Sequence, residues 1–499
     1  MGSMNLPVKT SRSLKSRIPA AAQLRADVLA GLVVALALIP EAIAFSLIAG
    51  VDPRVGLYAS FVMAVSIAFL GGRPAMISAA TGAMALVVAP LSMEYGVDHL
   101  LAATILAGLI QVVLGLLGVA KLMRFVPPSV MTGFINALAI LIFMAQLPYL
   151  EGVGVPIYVM VAVGLAIVFG LPRLTKVVPA PLVAIVVLTA AALALGIPAQ
   201  TVGDMGELPD TVPVPLIPDV PLTLDTLTLI APYSLTLALV GLMESLMTAK
   251  VVDDQTETPS NHAREARGQG IANVLTGFFG GMAGCAMIGQ TMINVKSGAR
   301  TRVSTFLAGV FLLILCVALG DLVGMIPIAA LVAVMFFVAI VTFDWHSIAP
   351  ATLKRMPWSE TLVMVVTVAV VVATHNLALG VIVGVLVSMV SFARKAAGQT
   401  DITSVLDPEG GTRVYSVNGE LFFASTNELV GRFDYAEEGL RRVVIDMSNA
   451  HVWDSSAVAA LDHVSEHFRR HGVEVEITGL NEPSAHLHNE LSGTLVGGH

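Results

Sequence analysis

The sequence predicts a polytopic α-helical membrane protein with a small α/β domain at its C-terminal end. Three observations carry this: a composition far from that of soluble domains, a succession of apolar runs of spanning length, and an abrupt change of composition after Lys395. Of 499 residues, 56% are hydrophobic and only 12% charged, and the mean hydropathy is +0.84; soluble domains carry about 25% charged residues. The net charge of -8 changes sign along the chain, and nothing in it supports nucleic-acid binding. Cys285 and Cys316 lie in apolar segments without a partner at framework spacing, so neither a disulfide scaffold nor a cysteine-based metal site is expected. The opening "MGS" before Met4 reads as a remnant of expression and is set aside. No cleavable signal peptide is expected, because the first apolar run follows a basic arm over 1–24.

A spanning helix needs about 20 residues. Apolar runs that meet or approach this lie at 25–50, 54–70, 75–92, 99–120, 128–148, 153–171 and 180–196, then at 228–250, 268–284, 287–299, 302–320, 326–343, 359–375 and 377–395. Fourteen spans follow, seven on each side of a loop over 197–227. Lys9, Arg12, Lys15, Arg17 and Arg25 are basic, as are the connections holding Lys121/Arg124, Arg173/Lys176, Lys296/Arg300/Arg302 and Lys354/Arg355, and alternation puts them all on one side. The loop carries Asp204, Glu207, Asp210, Asp219 and Asp225 and falls opposite. Both termini are therefore expected in the cytoplasm of a cell with an inner membrane.

The third run of each half is unusual. "FLGGRPAMISAATGAMA" (Phe69–Ala85) and "FFGGMAGCAMIGQTMIN" (Phe278–Asn294) both follow a Gly-Gly pair with a threonine nine or ten residues on. Such glycine-rich stretches make poor helices. An odd number of spans per half enters the second half upside down, the inverted-repeat layout of many secondary transporters, with repeats at about 25–196 and 228–397. "AMISAA" and "AGCAMI" are then extended, and half-helices begin near Thr81 and Thr291. Their positive N-termini converge, with Ala80, Thr81 and Gly82 on one side and Gly289, Gln290 and Thr291 on the other. Free N–H groups there bind anions. Proline at either threonine is expected to be tolerated, as at a first-turn position.

Two acids interrupt apolar spans, Glu41 in "LIPEAIAFSLIAG" and Glu244 in "LVGLMESLMTAK", each in the first helix of its half. Intramembrane carboxylates face cavities and mark ion or proton sites. One turn on, Phe45 shares a face with Glu41 and Thr248 with Glu244.

From 398 to 499 the chain reads as an α/β domain: a hairpin in "DITSVLDPEGGTRVYSV", a helix opened by the capping box "STNE", a buried strand "RRVVIDMS", an amphipathic helix "SSAVAALDHVSEHF" with Asp454 or Ser455 as its cap, and a strand "VEVEITGL". His463, His467 and His471 share one helix face and read as solvated. No P-loop "GxxxxGK[ST]" occurs, so ATP has no site. No cofactor and no enzymatic activity are expected.

The stretches "PEAIAFSLIAGVDPRVGLYAS" and "NVKSGART" resemble signatures of the SulP anion transporters, the solute carrier 26 family that includes prestin, and "VVIDMS" with "WDSSA" resembles the STAS domain that closes them. The resemblance implies a fold like the uracil permeases, a core domain moving against a gate domain, a homodimer, and an anion held between spans three and ten. Glu41 stands where many relatives have Gln, Phe45 matches an aromatic lining the pocket, and Gly289-Gln290-Thr291 replaces a Ser-Arg-Ser-like triplet of the animal proteins. Glu244, Thr248, Gly289 and Thr291 resemble the sodium site of the bicarbonate-transporting branch, where an Asp fills the first position. Asp454-Ser455-Ser456 resembles the phosphorylation loop of anti-sigma antagonists, with Ala457 in place of their Gly. With Gln at 290 the pocket lacks a cation, so protons or sodium must neutralise the anion. Within the bacterial branch the sequence is similar to proton-coupled fumarate symport, and that similarity is the reason to expect a C4-dicarboxylate. Sodium-coupled bicarbonate uptake and sulfate or chloride exchange are the alternatives on the same fold; an anion channel or a STAS-linked sensor is the alternative from another class.

Overall fold

A computed structural model describes residues 20–119, 121, 126–174, 179–407, 411–435, 437 and 439–493. The basic arm and part of three connections, with Lys9, Arg12, Lys15, Arg17, Arg124 and Lys176, lie outside the described residues. The first half holds α1 (Ala20–Ile48), α2 (Pro53–Leu70), β1 (Ser78–Ala80), α3 (Gly82–Tyr95), α4 (Val97–Leu116), α5 (Pro128–Met144), α6 (Val155–Leu174) and α7 (Ala180–Leu195). The second half holds α8 (Leu224–Thr256), α9 (His262–Phe278), β2 (Gly284–Ala286), α10 (Ile288–Lys296), α11 (Arg302–Ala318), α12 (Gly320–Gly324), α13 (Ile328–Thr342), α14 (Pro350–Arg355), α15 (Trp358–Thr374) and α16 (Leu377–Ala397). Each of the fourteen predicted spans overlaps one of these helices, and α12 and α14 are short additions. Among the described residues, seven helices are long and apolar enough to cross a membrane, and five more are apolar but shorter.

Local chemistry sets the ends. Pro53 and Pro128 start α2 and α5 where a missing N–H does no harm. Thr223, Asn261 and Thr301 each cap the helix that follows through a side-chain oxygen. One span differs from expectation. α9 runs 262–278, six residues earlier than the apolar run at 268–284, because its first turns carry His262, Arg264, Glu265 and Arg267 and depress the hydropathy on which the reading rested.

The helices pack as two groups, α1 to α4 with α8 to α11, and α5 to α7 with α13 and α15. Pairings in the first group are reciprocal. α1 packs on α10 and α11 as α8 packs on α3 and α4, and α2 packs on α11 as α9 packs on α4, the exchange that two inverted halves produce. The acidic segment 197–227 is tied to both groups. Val202 N–H and Ile328 N–H bond to the carbonyls of Ile326 and Gln200 beside α13. Arg54 at the start of α2 pairs with Glu207, and its N–H donates to the Glu207 carbonyl at 3.0 Å. Tyr58 Oη donates to the Thr211 carbonyl.

The chain divides into two compact units, 1–384 and 385–499, with the boundary inside α16. The second contains a four-stranded sheet in the order β3 (Asp401–Leu406), β4 (Thr412–Leu421), β5 (Arg442–Val452), β6 (Glu474–Thr478), with β3–β4 antiparallel and the other pairs parallel. α17 (Thr426–Gly431), α18 (Ser455–Arg470) and α19 (Glu482–Leu491) complete it. The predicted hairpin forms, with its tip at 408–410 outside the described residues. Asp454 caps α18 by accepting from Ala457 N–H at 3.0 Å. The capping box at "STNE" does not form: Ser425 Oγ donates instead to the carbonyls of Glu420 and Phe422. Tyr415, Phe433 and Phe468 meet ring to ring in this domain's core. His467 and His471 stack with ring centroids 5.3 Å apart, and no metal-ligating cluster occurs among the described residues.

Candidate anion site

The two glycine-rich stretches meet as a short antiparallel pair. Ser78, Ala79 and Ala80 lie opposite Ala286, Cys285 and Gly284, and all six are buried. A Cβ on Gly284 would sit 2.5 Å from the Ala79 carbonyl oxygen, so only glycine allows this approach. Since the strands are antiparallel, α3 and α10 leave the pair in opposite directions, each with its N-terminus toward the other.

Buried side chains hold the extended backbone where water cannot. Ser60 Oγ accepts from Ala80 N–H and Ser245 Oγ accepts from Ala286 N–H, one serine from each half. Asn273 accepts from Gly284 N–H at 2.8 Å and donates to the Gly284 carbonyl at 3.0 Å and to Gln111. Gln269 donates to Ser78 Oγ and to Glu265. Fully buried Glu265 takes the N–H groups of Gly72 and Arg73. Sequence reading missed this scaffold. Its one signal was polar residues four apart on one helix face, Glu265, Gln269 and Asn273.

The half-helix starts are not equivalent in the way the threonines suggested. Thr81 is the N-cap of α3, in extended backbone, and its hydroxyl accepts from Met84 N–H. α10 begins at Ile288 with Met287 as its cap, three residues before Thr291. The Thr291 N–H donates to the Met287 carbonyl, and its hydroxyl accepts from Ile77 N–H at 2.9 Å. By position, each following its strand directly and capping the next helix, Thr81 corresponds to Met287 and not to Thr291. Matching the Gly-Gly pairs misled because seven residues separate α2 from β1 and five separate α9 from β2. The proline expectation at Thr291 is withdrawn with it.

The carboxylates are half-buried and each meets a donor from beside a half-helix. Gln290 Nε2 donates to Glu41 Oε1 at 2.8 Å. Cys285 Sγ donates to Glu244 Oε2 at 2.7 Å and lies 3.2 Å from Thr81 Oγ1. Phe45 packs on the start of α3: a Cβ on Gly82 would come within 3.0 Å of its ring. Thr248 Oγ1 donates to the Glu244 carbonyl at 2.8 Å and reaches the Ala286 carbonyl at 3.5 Å. Gly289 lies exposed with open space where a Cβ would point, beside the buried Gln290. Of the set resembling a sodium site, Glu244 and Thr248 adjoin, while the Thr291 hydroxyl is committed to Ile77.

The first N–H groups of each helix, those of Gly82 and Ala83 and those of Ile288, Gly289 and Gln290, have no acceptor inside their helices. Among the described residues no lysine or arginine makes an ion pair with Glu41 or Glu244. The site therefore offers dipolar donors to an anion and carboxylates to a cation, with no fixed positive charge.

Comparison with known proteins identifies the family and the fold. The profile of the sulfate permease family matches residues 24–163 and 155–367, and that of the STAS domain residues 404–493. The putative sulfate transporter YbaR of Bacillus subtilis is 53% identical over 94% of this chain and 97% of its own. The bicarbonate transporter BicA of Synechocystis sp. is 26% identical over 90% of this chain and 88% of its own. In structure, the chain resembles murine Solute Carrier 26 family member A9, with a TM-score of 0.80 at 18% identity, covering 97% of this chain and 89% of that one. It also resembles the transmembrane domain of a cyanobacterial BicA, with a TM-score of 0.61 at 25% identity, covering 73% of this chain and 97% of that one. With buried strands flanking paired half-helices, a C-terminal STAS domain and these relatives, the chain belongs to the SulP family of membrane anion transporters.

Proposed function

We propose that the protein is a secondary active transporter that carries a small divalent anion together with protons by alternating access, with a C4-dicarboxylate such as fumarate as the first substrate to test. The observation that carries the reading is the pairing of two half-helix N-termini with two half-buried carboxylates and no cation. Helix dipoles supply only partial positive charge, so a dianion entering this site needs cations to travel with it. Glu41 and Glu244 can take those protons, and the Gln290 amide can hold Glu41 in either state, donating through Nε2 or accepting through Oε1. That oxygen is buried without a partner. The reciprocal helix groups are suited to the core-and-gate movement. The basic connections orient both termini to the cytoplasm of a cell membrane, and a homodimer is the expected assembly.

Sodium-coupled bicarbonate uptake is the second reading, favoured by the Glu244–Thr248 adjacency and by relatives named for bicarbonate. Hard cations prefer oxygen ligands, and a thiol occupies the contact at Glu244 Oε2, which favours the proton. Sulfate is the third substrate to include, given the names of other relatives.

The test is uptake into proteoliposomes of labelled fumarate, sulfate, bicarbonate and chloride, under imposed pH or sodium gradients. Fumarate accumulation driven by an inward proton gradient and indifferent to sodium is expected. Accumulation that requires sodium, or rapid gradient-independent flux of chloride, would reject proton symport in favour of the bicarbonate or channel reading.

A further inference from the structure

The second carboxylate is joined to the first half-helix through a thiol. Glu244 Oε2, Cys285 Sγ and Thr81 Oγ1 form a line with steps of 2.7 and 3.2 Å. Cys285 is completely buried and Thr81 is 3% exposed, so water does not compete at the sulfur or the hydroxyl. Thr81 caps α3, whose N-terminus faces the anion site, and one of its lone pairs is taken by Met84 N–H.

We propose that Cys285 is a positioning residue that links the protonation state of Glu244 to the anion-donating capacity of Thr81; this rests on the reading of the half-helix N-termini as an anion site. The inventory of protons is short. A thiol has one proton and a hydroxyl has one. When Glu244 is ionised, the Cys285 S–H donates to it, and the sulfur is left as the acceptor for the Thr81 O–H. The hydroxyl proton is then turned away from the anion. When Glu244 gains a proton from solution, its O–H donates to the sulfur, and the thiol proton turns to the free lone pair of Thr81. The Thr81 O–H is released and becomes a further donor beside the N–H groups of Gly82 and Ala83. No proton passes along the line; each donor only rotates. The linkage is reciprocal, as thermodynamics requires, so a bound anion also favours the protonated carboxylate.

Other charges do not bypass this path. α8 packs against α3, α4, α9, β2 and α10. Glu94 and Asp98 lie at the end of α3 and in the first turn of α4, Glu265 is bound to Gly72 and Arg73, and Lys296 is in the last turn of α10. His262, Arg264 and Arg267 lie in the first two turns of α9, where Arg264 bonds the Phe69 and Leu70 carbonyls. On α8 itself, Asp253 pairs with Arg73 and His262, while Lys250 and Asp254 lie at the exposed end. Cys285 is the titratable side chain in contact with Glu244. Glu41 is held by Gln290 and stays unchanged in every variant below.

The experiment is the apparent KM for fumarate uptake by the full chain in proteoliposomes, measured from acidic to neutral pH for the parent, Cys285→Ala, Cys285→Ser, Thr81→Val and Glu244→Gln. Sulfate is run in parallel. Cys285→Ala frees the Thr81 hydroxyl at all pH values, so its KM at neutral pH should fall about fivefold toward the acidic value, the ratio that one hydrogen bond supplies, and the profile should flatten. Thr81→Val should also flatten the profile but at the weak end. Cys285→Ser keeps a donor and an acceptor and should restore the slope. A parental KM–pH profile in Cys285→Ala, with Glu244→Gln altered, would overturn the linkage while leaving proton symport standing. A weak, flat profile in Cys285→Ala, not rescued by Ser, would also overturn it and assign Cys285 a packing role, which the melting temperatures of the two variants would register. Absence of proton-driven uptake of either anion by the parent would instead reject the transport reading.

Discussion

Glu41→Gln retains an acceptor for Gln290 Nε2 and removes only the titration. Initial uptake with and without an inward proton gradient should then approach the same value, while anion binding persists. Gln290→Arg acts in the opposite sense. A guanidinium beside Glu41 replaces a neutral donor with a charged one, worth about 1.5–3 kcal/mol instead of ~1 kcal/mol, and holds the acid ionised. Chloride should compete with labelled fumarate better in this variant than in the parent, and competition equal to the parent's would show that the amide does not border the anion. Thr81 and Thr291 separate two roles that sequence spacing merged. Thr291→Pro deletes the N–H bonded to Met287 and the hydroxyl bonded to Ile77, and proline inside a helix costs about 3 kcal/mol; the purified protein should melt far earlier. Thr81→Ala loses a cap worth ~1 kcal/mol and should melt only slightly earlier.

The positions of fourteen helices were legible because membrane spans announce themselves by length and apolarity, and the extended stretches because glycine and alanine runs deny the helix its propensity. The register between the stretches was not legible. It depends on how many residues each loop spends between helix and strand, seven in one half and five in the other, and glycine pairs on those loops carry no information about it. Nor could apolarity find the scaffold of α9, since Gln269 and Asn273 fall within an apolar run and their purpose shows only when Ser78 and Gly284 are seen against them. That scaffold makes a firm prediction. Glu265→Ala orphans the N–H groups of Gly72 and Arg73, each at about 1–3 kcal/mol when buried, so little folded protein should survive size-exclusion chromatography, whereas Glu265→Gln, which keeps one acceptor oxygen, should be recovered. In the STAS domain the buried strand followed from alternation and α18 from the Asp454 cap, while α19 was not read from the sequence. There Asp446 is held below the usual carboxylate range by the Ser448 hydroxyl and N–H. A depressed acid stabilises the fold above its unfolded pKa, and the contribution is lost as pH falls through the folded value. Asp446→Asn should therefore flatten the acid limb of the domain's stability–pH profile by lowering the melting temperature at neutral pH toward its acid value.

At the scale of the whole chain, one of the connections between the two helix groups is the segment that leaves α7 and reaches α8. Its ties lie close together. Val202 is fastened beside α13 and Glu207 at the start of α2, and the chain between them, fully stretched, reaches no more than about 17 Å. The segment is thus a leash of fixed length. Any stroke that carries one group past the other must stay within that reach or first undo the Arg54–Glu207 pair. Turnover and affinity should then part company when the leash is altered: removing Met205 should shorten the permitted stroke and slow uptake with the KM for the anion unchanged, and adding a few flexible residues there should leave both as they were.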